Sequence, residues 1–207
     1  DNTKDVVNAM KRPGTVFVSE PDAGIYDAWN KGLGHATGDV IGFLHSDDFY
    51  THDNVVADIV SKLVSSGKDS VFGDIQFVTP EDTKKITRYY SSEKFHPSRF
   101  AKGYMPAHPS FYAKREVYDA VGPFRTDYKI AADFEHMIRT LHSGEHSYAY
   151  LKQPLVNMRT GGLSTANLNS RMTLIRENVR ACRENGINTN FAKIIFNRLY
   201  KLAELKL

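Results

Sequence analysis

The sequence predicts an α/β domain followed by a mainly helical C-terminal extension. Three observations carry that prediction. Strand-like and helix-like patterns alternate through the first half of the chain. Val40-Ile41-Gly42-Phe43-Leu44 is a nearly unbroken apolar run, of the kind that suits a strand covered on both faces. From Asn167 onward the pattern is mostly helical.

The elements follow in order. A short helix-like stretch runs from Lys4 to Lys11, and Thr15-Val16-Phe17-Val18 reads as a strand. Ile25 to Ala36 reads as a helix, with Ile25, Ala28, Trp29 and Leu33 at spacings of three and four. After the apolar run, Asp53 is placed to N-cap a helix carrying Val55, Val56, Ile59, Val60, Leu63 and Val64. Ser70 to Val78 is the next strand, and Lys84 to Tyr90 can pair with it through Pro80-Glu81-Asp82. Ser91 to Tyr112 is irregular and rich in Phe, Tyr, His and Pro, as expected of loops that shape a pocket. Lys114 to Val121 and Ile130 to His142 read as helices, the first stopped by Gly122-Pro123. Ser147 to Met158 is strand-like but interrupted by Pro154. The domain is assigned to residues 1–165 and the extension to 166–207. An α/β domain ordinarily opens on a strand, so the helix-like start, with no initiator Met, predicts further N-terminal sequence.

Composition excludes several classes. The chain has 207 residues, 27 Lys and Arg against 24 Asp and Glu, and a net charge of +3. That excess is too small for a nucleic-acid partner. The single cysteine, Cys182, rules out an intrachain disulfide and fits a reducing compartment. No apolar run approaches the roughly 20 residues that span a bilayer. A cytoplasmic protein is expected.

Four groups of residues could carry chemistry. Asp47 and Asp48 directly follow the apolar strand, where open α/β sheets bind ligands. Two carboxylates there suit Mg²⁺ or Mn²⁺ and a phosphate, although an acid capping the following turn has the same appearance. Asp133 and Glu135 open a helix. Acids there meet the helix dipole favourably, or one of them serves as a general base. Asn157-Met158-Arg159-Thr160-Gly161-Gly162-Leu163-Ser164-Thr165 forms either an anion-binding nest at its Gly-Gly pair or a plain loop with Ser164 or Thr165 as N-cap. His108 lies in the irregular section, where a lone His is more often structural.

From Ser19 to Gly32 the sequence reads S-E-P-D-A-G-I-Y-D-A-W-N-K-G, and from Ala36 to Asp48 A-T-G-D-V-I-G-F-L-H-S-D-D. This stretch resembles the inverting family 2 glycosyltransferases of bacterial polysaccharide and lipopolysaccharide assembly. Gly73-Asp74, His108-Pro109-Ser110, Gly122-Pro123-Phe124, Ala132-Asp133-Phe134-Glu135 and Gly161-Gly162-Leu163-Ser164 follow in the family's order. The resemblance implies a GT-A fold, a Rossmann-like sandwich binding a nucleoside-diphosphate sugar and a divalent cation. It implies Asp133 as catalytic base and Asp47 and Asp48 as metal and nucleotide-sugar ligands. Asp22, Asn30 and Lys31 join the nucleotide-sugar site, and Asp74, His108 and Glu135 the donor or acceptor sugar. The first acid of the family's D-x-D pattern is His45 here, which leaves open which of Asp47 and Asp48 ligates the metal. Asp1-Asn2-Thr3-Lys4-Asp5 resembles the tail of the family's D-G-S-x-D-x-T segment, again pointing to preceding strands.

The implied reaction is inverting transfer from the nucleotide sugar to a glycan or lipid-linked hydroxyl. Its rivals are an inactive sugar-nucleotide-binding or partner-binding domain of the same fold, and a metal-dependent phosphoester hydrolase or nucleotidyltransferase. Residues 191–207 have the pattern of a basic amphipathic helix. It suits packing on its own domain or a second subunit, the reading preferred here, and also an anionic membrane face.

Overall fold

In the computed structural model, residues 2–160 and 168–196 are described. Helix α1 spans Thr3–Met10 and α2 Ile25–His35; strands β1 (Val40–Gly42) and β2 (Phe49–Tyr50) precede α3 (Val55–Ser66). Strands β3 (Ser70–Val78) and β4 (Ile86–Tyr90) follow, then two 3₁₀ turns at Pro97–Lys102 and His108–Ser110. The chain continues through β5 (Tyr112–Lys114), α4 (Arg115–Val121), α5 (Ala132–Leu141), β6 (Tyr148–Arg159) and α6 (Leu168–Glu184). Residues 191–196 are helical.

The sheet order is β1-β5-β3-β6-β2, with β4 beside β3. Strands β3 and β6 run parallel, and every other pair is antiparallel. Consecutive side chains on β3 serve opposite faces, as a pleated strand requires. Val71 packs with Val55, Ile59 and Leu63 of α3. Phe72 packs with Phe134, Met137 and Ile138 of α5. Helices therefore cover both faces of the central strands, which gives the expected α/β sandwich.

Four expectations need correction. Thr15 to Val18 is extended but forms no strand among the described residues, and Val16 and Val18 are exposed. A β-branched run needs a bonding neighbour, and none of the described strands reaches it. The apolar run keeps only Val40–Gly42 as strand, paired antiparallel with β5 alone. Apolar composition reports burial but not the direction of the neighbour. Asn54, not Asp53, stands at the N-cap of α3, and its side chain makes no capping bond. Pro154 does not interrupt β6: the β3–β6 register shifts on both sides of Asp74, which pairs with Pro154. The irregularity absorbs the missing N–H. At Gly73 a Cβ would stand 2.7 Å from Leu155 Cγ and 2.8 Å from the Gln153 carbonyl oxygen, so only glycine fits this crossing.

The C-terminal helix is part of the main core. Ala181, Cys182 and Ile187 are buried in the same cluster as Phe100, Phe134 and Ile138. Ile194 is fully buried and packs with Ile175 and Val179, so residues 191–196 dock on their own domain. Phe196 is exposed. The Gly161–Thr165 motif and residues 197–207 lie outside the described residues. No helix among them is long and apolar enough to cross a membrane.

Candidate active site

The β1–β2 connection carries the acidic pair. The Asp48 N–H donates to the His45 carbonyl at 3.1 Å, closing a turn before β2. Arg159, at the end of β6, donates to the Asp47 carbonyl at 2.7 Å and lies over the Phe49 ring at 5.2 Å. The turn is thus fastened to the neighbouring strand. Asp47 presents its carboxylate to solvent, whereas Asp48 is 8% exposed. Neither oxygen of Asp48 has a hydrogen-bond partner among the described residues. Burial, and then the Asp47 charge, push its carboxyl up to about 7, while Arg159 nearby acts in the opposite direction.

A buried carboxylate without partners is costly unless something positive meets it. The pair therefore fits a hard divalent cation. The described residues hold no cluster of three metal-ligating side chains. Mg²⁺-like cations are commonly held by one or two carboxylates, with substrate phosphates and water completing the shell, so two carboxylates suffice.

A strip of aromatic rings leads from this turn to α5. Trp29 of α2 lies nearly parallel to His45 at 5.1 Å and to His108 at 4.8 Å. Tyr26, one helical turn back, meets the Trp29 edge at 5.1 Å. Burial, followed by electrostatic interaction with His45 and His136, pushes His108 down to about 3, so its ring is neutral at physiological pH. Its Nδ1 has no partner among the described residues.

Asp133 stands in the first turn of α5, beside Tyr26. Its Oδ1 accepts the Phe134 N–H at 2.8 Å. Burial raises its carboxyl to about 6, against the pull of the Phe134 and Asp133 N–H groups. Glu177 adds to the rise, and the Tyr26 hydroxyl lowers it. Asp133 is thus a carboxylate tuned towards neutrality, in contact with an aromatic strip that runs to the Asp47-Asp48 turn.

Other expected ligands are occupied with structural bonds. Asn30 clamps the Phe124 main chain through two bonds of 2.8 Å, one donated and one accepted. Asp22 accepts the Gly24 N–H at 2.9 Å, an Asx turn that starts α2. Lys31 donates to the Pro21 carbonyl at 2.7 Å and pairs with Glu20 and Asp27. Asp22 and Lys31 do line a cleft of about 580 Å³ between α2 and residues 14–19. Asp74 is buried and accepts from Tyr89, Tyr150 and the Ser92 N–H at 2.6–2.9 Å. Glu135 is 1% exposed and is gripped by Arg139, with Nε at 2.9 Å. Arg139 also donates to the Val121 and Pro123 carbonyls, so the pair fastens the Gly122 turn.

The family model for glycosyl transferase family 2 matches residues 1–124. The chain belongs to this family. A Mycobacterium tuberculosis (strain CDC 1551 / Oshkosh) protein named as an uncharacterized glycosyltransferase is 36% identical over 130 residues, covering 61% of this chain and 48% of that relative. The chain therefore spans about half the length of the curated relatives it matches. The structure of Staphylococcus aureus TarS 1-349 superposes with a TM-score of 0.62 at 13% identity, over 97% of this chain and 59% of that one. The glucosyl-3-phosphoglycerate synthase of M. tuberculosis, in complex with Mn²⁺ and UDP-glucose, gives 0.59 at 18% identity, over 92% and 66%. These likenesses show the GT-A fold.

Sequence reasoning passed over Tyr26 and Trp29 as site residues. Both lie inside the Ser19–Gly32 motif, where their helical spacing reads as core packing. It named Arg159 only as part of the Asn157–Thr165 segment and passed over Glu177, for which no local signal exists.

Proposed function

We propose that the chain belongs to a metal-dependent inverting glycosyltransferase, acting in cell-surface polysaccharide or lipopolysaccharide assembly. The observation that carries this reading is the placing of two carboxylates with raised proton affinity, the unpartnered Asp48 and the Tyr26-bound Asp133, at the two ends of the Tyr26–Trp29–His45 strip. Asp47 and Asp48 would hold Mn²⁺ or Mg²⁺, which would supply charge neutralisation for a nucleoside diphosphate leaving group. Asp133 accepts the proton of the acceptor hydroxyl as that oxygen forms its bond to the anomeric carbon, on the face opposite the breaking sugar–phosphate bond. Trp29, backed by the buried neutral His108, offers a flat apolar ring on which a sugar face can rest. Asp22 and Lys31 serve the nucleotide side from the cleft they line. Asn30, Asp74 and Glu135 support the site by fixing Phe124, the β3–β6 irregularity and the Gly122 turn.

The donor is a nucleoside-diphosphate sugar, the class bound by the M. tuberculosis synthase. The acceptor is a glycan or lipid-linked hydroxyl, reached by a cytoplasmic protein. A screen of UDP- and GDP-sugars for nucleoside diphosphate release, with Mn²⁺ or EDTA, tests the reading. Release that needs Mn²⁺ and yields an inverted anomeric product is expected. Binding without turnover would favour the inactive domain, and pyrophosphate release a nucleotidyltransferase.

A further inference from the structure

Helix α5 starts without a cap from its own sequence. Ala131 occupies the N-cap position and makes no side-chain bond there. The N–H groups at such an end need acceptors, and the positive end of the helix favours an anion. Within the helix, Asp133 takes the Phe134 N–H; the Ala131 N–H and the two amides before it find their acceptor on α6. Glu177 takes the Lys129 N–H on Oε1 at 2.8 Å and the Ile130 and Ala131 N–H groups on Oε2, both at 2.9 Å. Three charge-assisted bonds converge on one carboxylate.

The surrounding contacts hold the same segment. Tyr128 donates to Glu184 Oε2 at 2.8 Å, Arg125 pairs with Glu184 at 2.6 Å, and Arg180 pairs with Asp127. Residues 125–131 are therefore strapped along α6, and Ala131 and Ala132 are fully buried. Asp133 follows two residues after the last amide that Glu177 holds.

We propose that Glu177 is a positioning residue for Asp133: from α6 it anchors the segment that enters α5, Lys129 to Ala131, and so fixes the carboxylate against Tyr26. This rests on the reading of Asp133 as base. The role belongs to the C-terminal helix, beyond residues 1–124 of the family match. It makes α6 part of the active site at one remove. The charged and titratable groups that face Asp133 are Tyr26 from α2 and Glu177 from α6. Removing the Glu177 charge therefore alters the proton affinity of Asp133 as well as its place, which removal of a remote packing contact does not do.

The test uses the full chain. The Asp133 carboxyl is followed by ¹³C NMR titration in wild type and in Glu177→Gln and Glu177→Ala. Nucleoside diphosphate release is measured with the donor that the screen selects, and Asp133→Asn serves as reference. For Glu177→Gln the Asp133 midpoint and the acid limb of kcat are expected to move together to lower pH. For Glu177→Ala, kcat is expected to fall about tenfold or more, with donor KM within about twofold. Glu177→Gln keeps side-chain shape and one acceptor, and carries the test if the alanine variant does not fold. An unmoved midpoint and acid limb in Glu177→Gln, with rates that merely track the folded fraction, would overturn the proposal and leave the base intact. Transfer surviving in Asp133→Asn would overturn both.

Discussion

Four carboxylates set two regions of the molecule apart. Asp48 and Asp133 flank the aromatic strip, and burial raises both above the usual carboxylate range. Asp74 and Glu135 are more deeply buried, yet every oxygen is engaged: Asp74 by two phenols and an amide, Glu135 by Arg139. Asp48 lacks any such partner among the described residues, and the bonds Asp133 receives do not offset the rise that burial causes. The second pair holds the scaffold together. Residues from one family motif thus divide between chemistry and architecture, and Asp133 and Glu135, two positions apart on α5, fall on opposite sides of the division.

The largest effect that can break this contrast lies at Asp133. Asp133→Asn is expected to lower kcat about 10²–10⁴-fold, measured as nucleoside diphosphate release, with the fold retained. The sign of its effect on stability is opposite to that of the scaffold pair. The folded carboxyl has its affinity raised from 3.8 to about 6, so it binds protons more tightly than in the unfolded chain. Its contribution is present below the unfolded value and is lost as pH rises through about 6. Calorimetric melting should therefore show Asp133→Asn with a higher Tm than wild type at pH 7.5 and no gain at pH 3.5.

Next comes Arg139→Met, which strands Glu135 as a buried charge. A loss of about 3 kcal/mol in urea unfolding is expected, with transfer by the folded fraction kept near wild type. Gly73→Ala follows, at about 2 kcal/mol, because its Cβ would overlap Leu155 at the bulge beside Asp74. Smallest is Lys31→Ala, whose ion pairs are exposed: under about 0.5 kcal/mol of stability is expected, and its donor KM reports whether the cleft it lines is used.

The sequence made the central strands legible because length and pattern agree there: Ser70 to Val78 was expected as a strand, and it is one. The turn at Asp47-Asp48 was legible for the same reason, as the polar end of an apolar run. The direction of β1 was not, since an apolar run carries no record of its neighbour. Nor were the partners of motif residues. Asn30 sits inside the most recognisable stretch of the chain, yet its amide is spent on Phe124, 94 residues away. Glu177 sits in an ordinary helical pattern, and its three bonds reach back 46–48 residues. Such pairings exist only once the chain has folded, whereas the motif marks merely the neighbourhood.

The most direct measurement of the central claim is a calorimetric titration of the selected nucleotide sugar into wild type, Asp48→Asn and Asp133→Asn, with Mn²⁺ and with EDTA. A cation site at Asp47-Asp48 that is separate from the base predicts Mn²⁺-dependent binding by wild type and Asp133→Asn alike, and loss of that dependence in Asp48→Asn. Unchanged Mn²⁺-dependent binding by Asp48→Asn would contradict it.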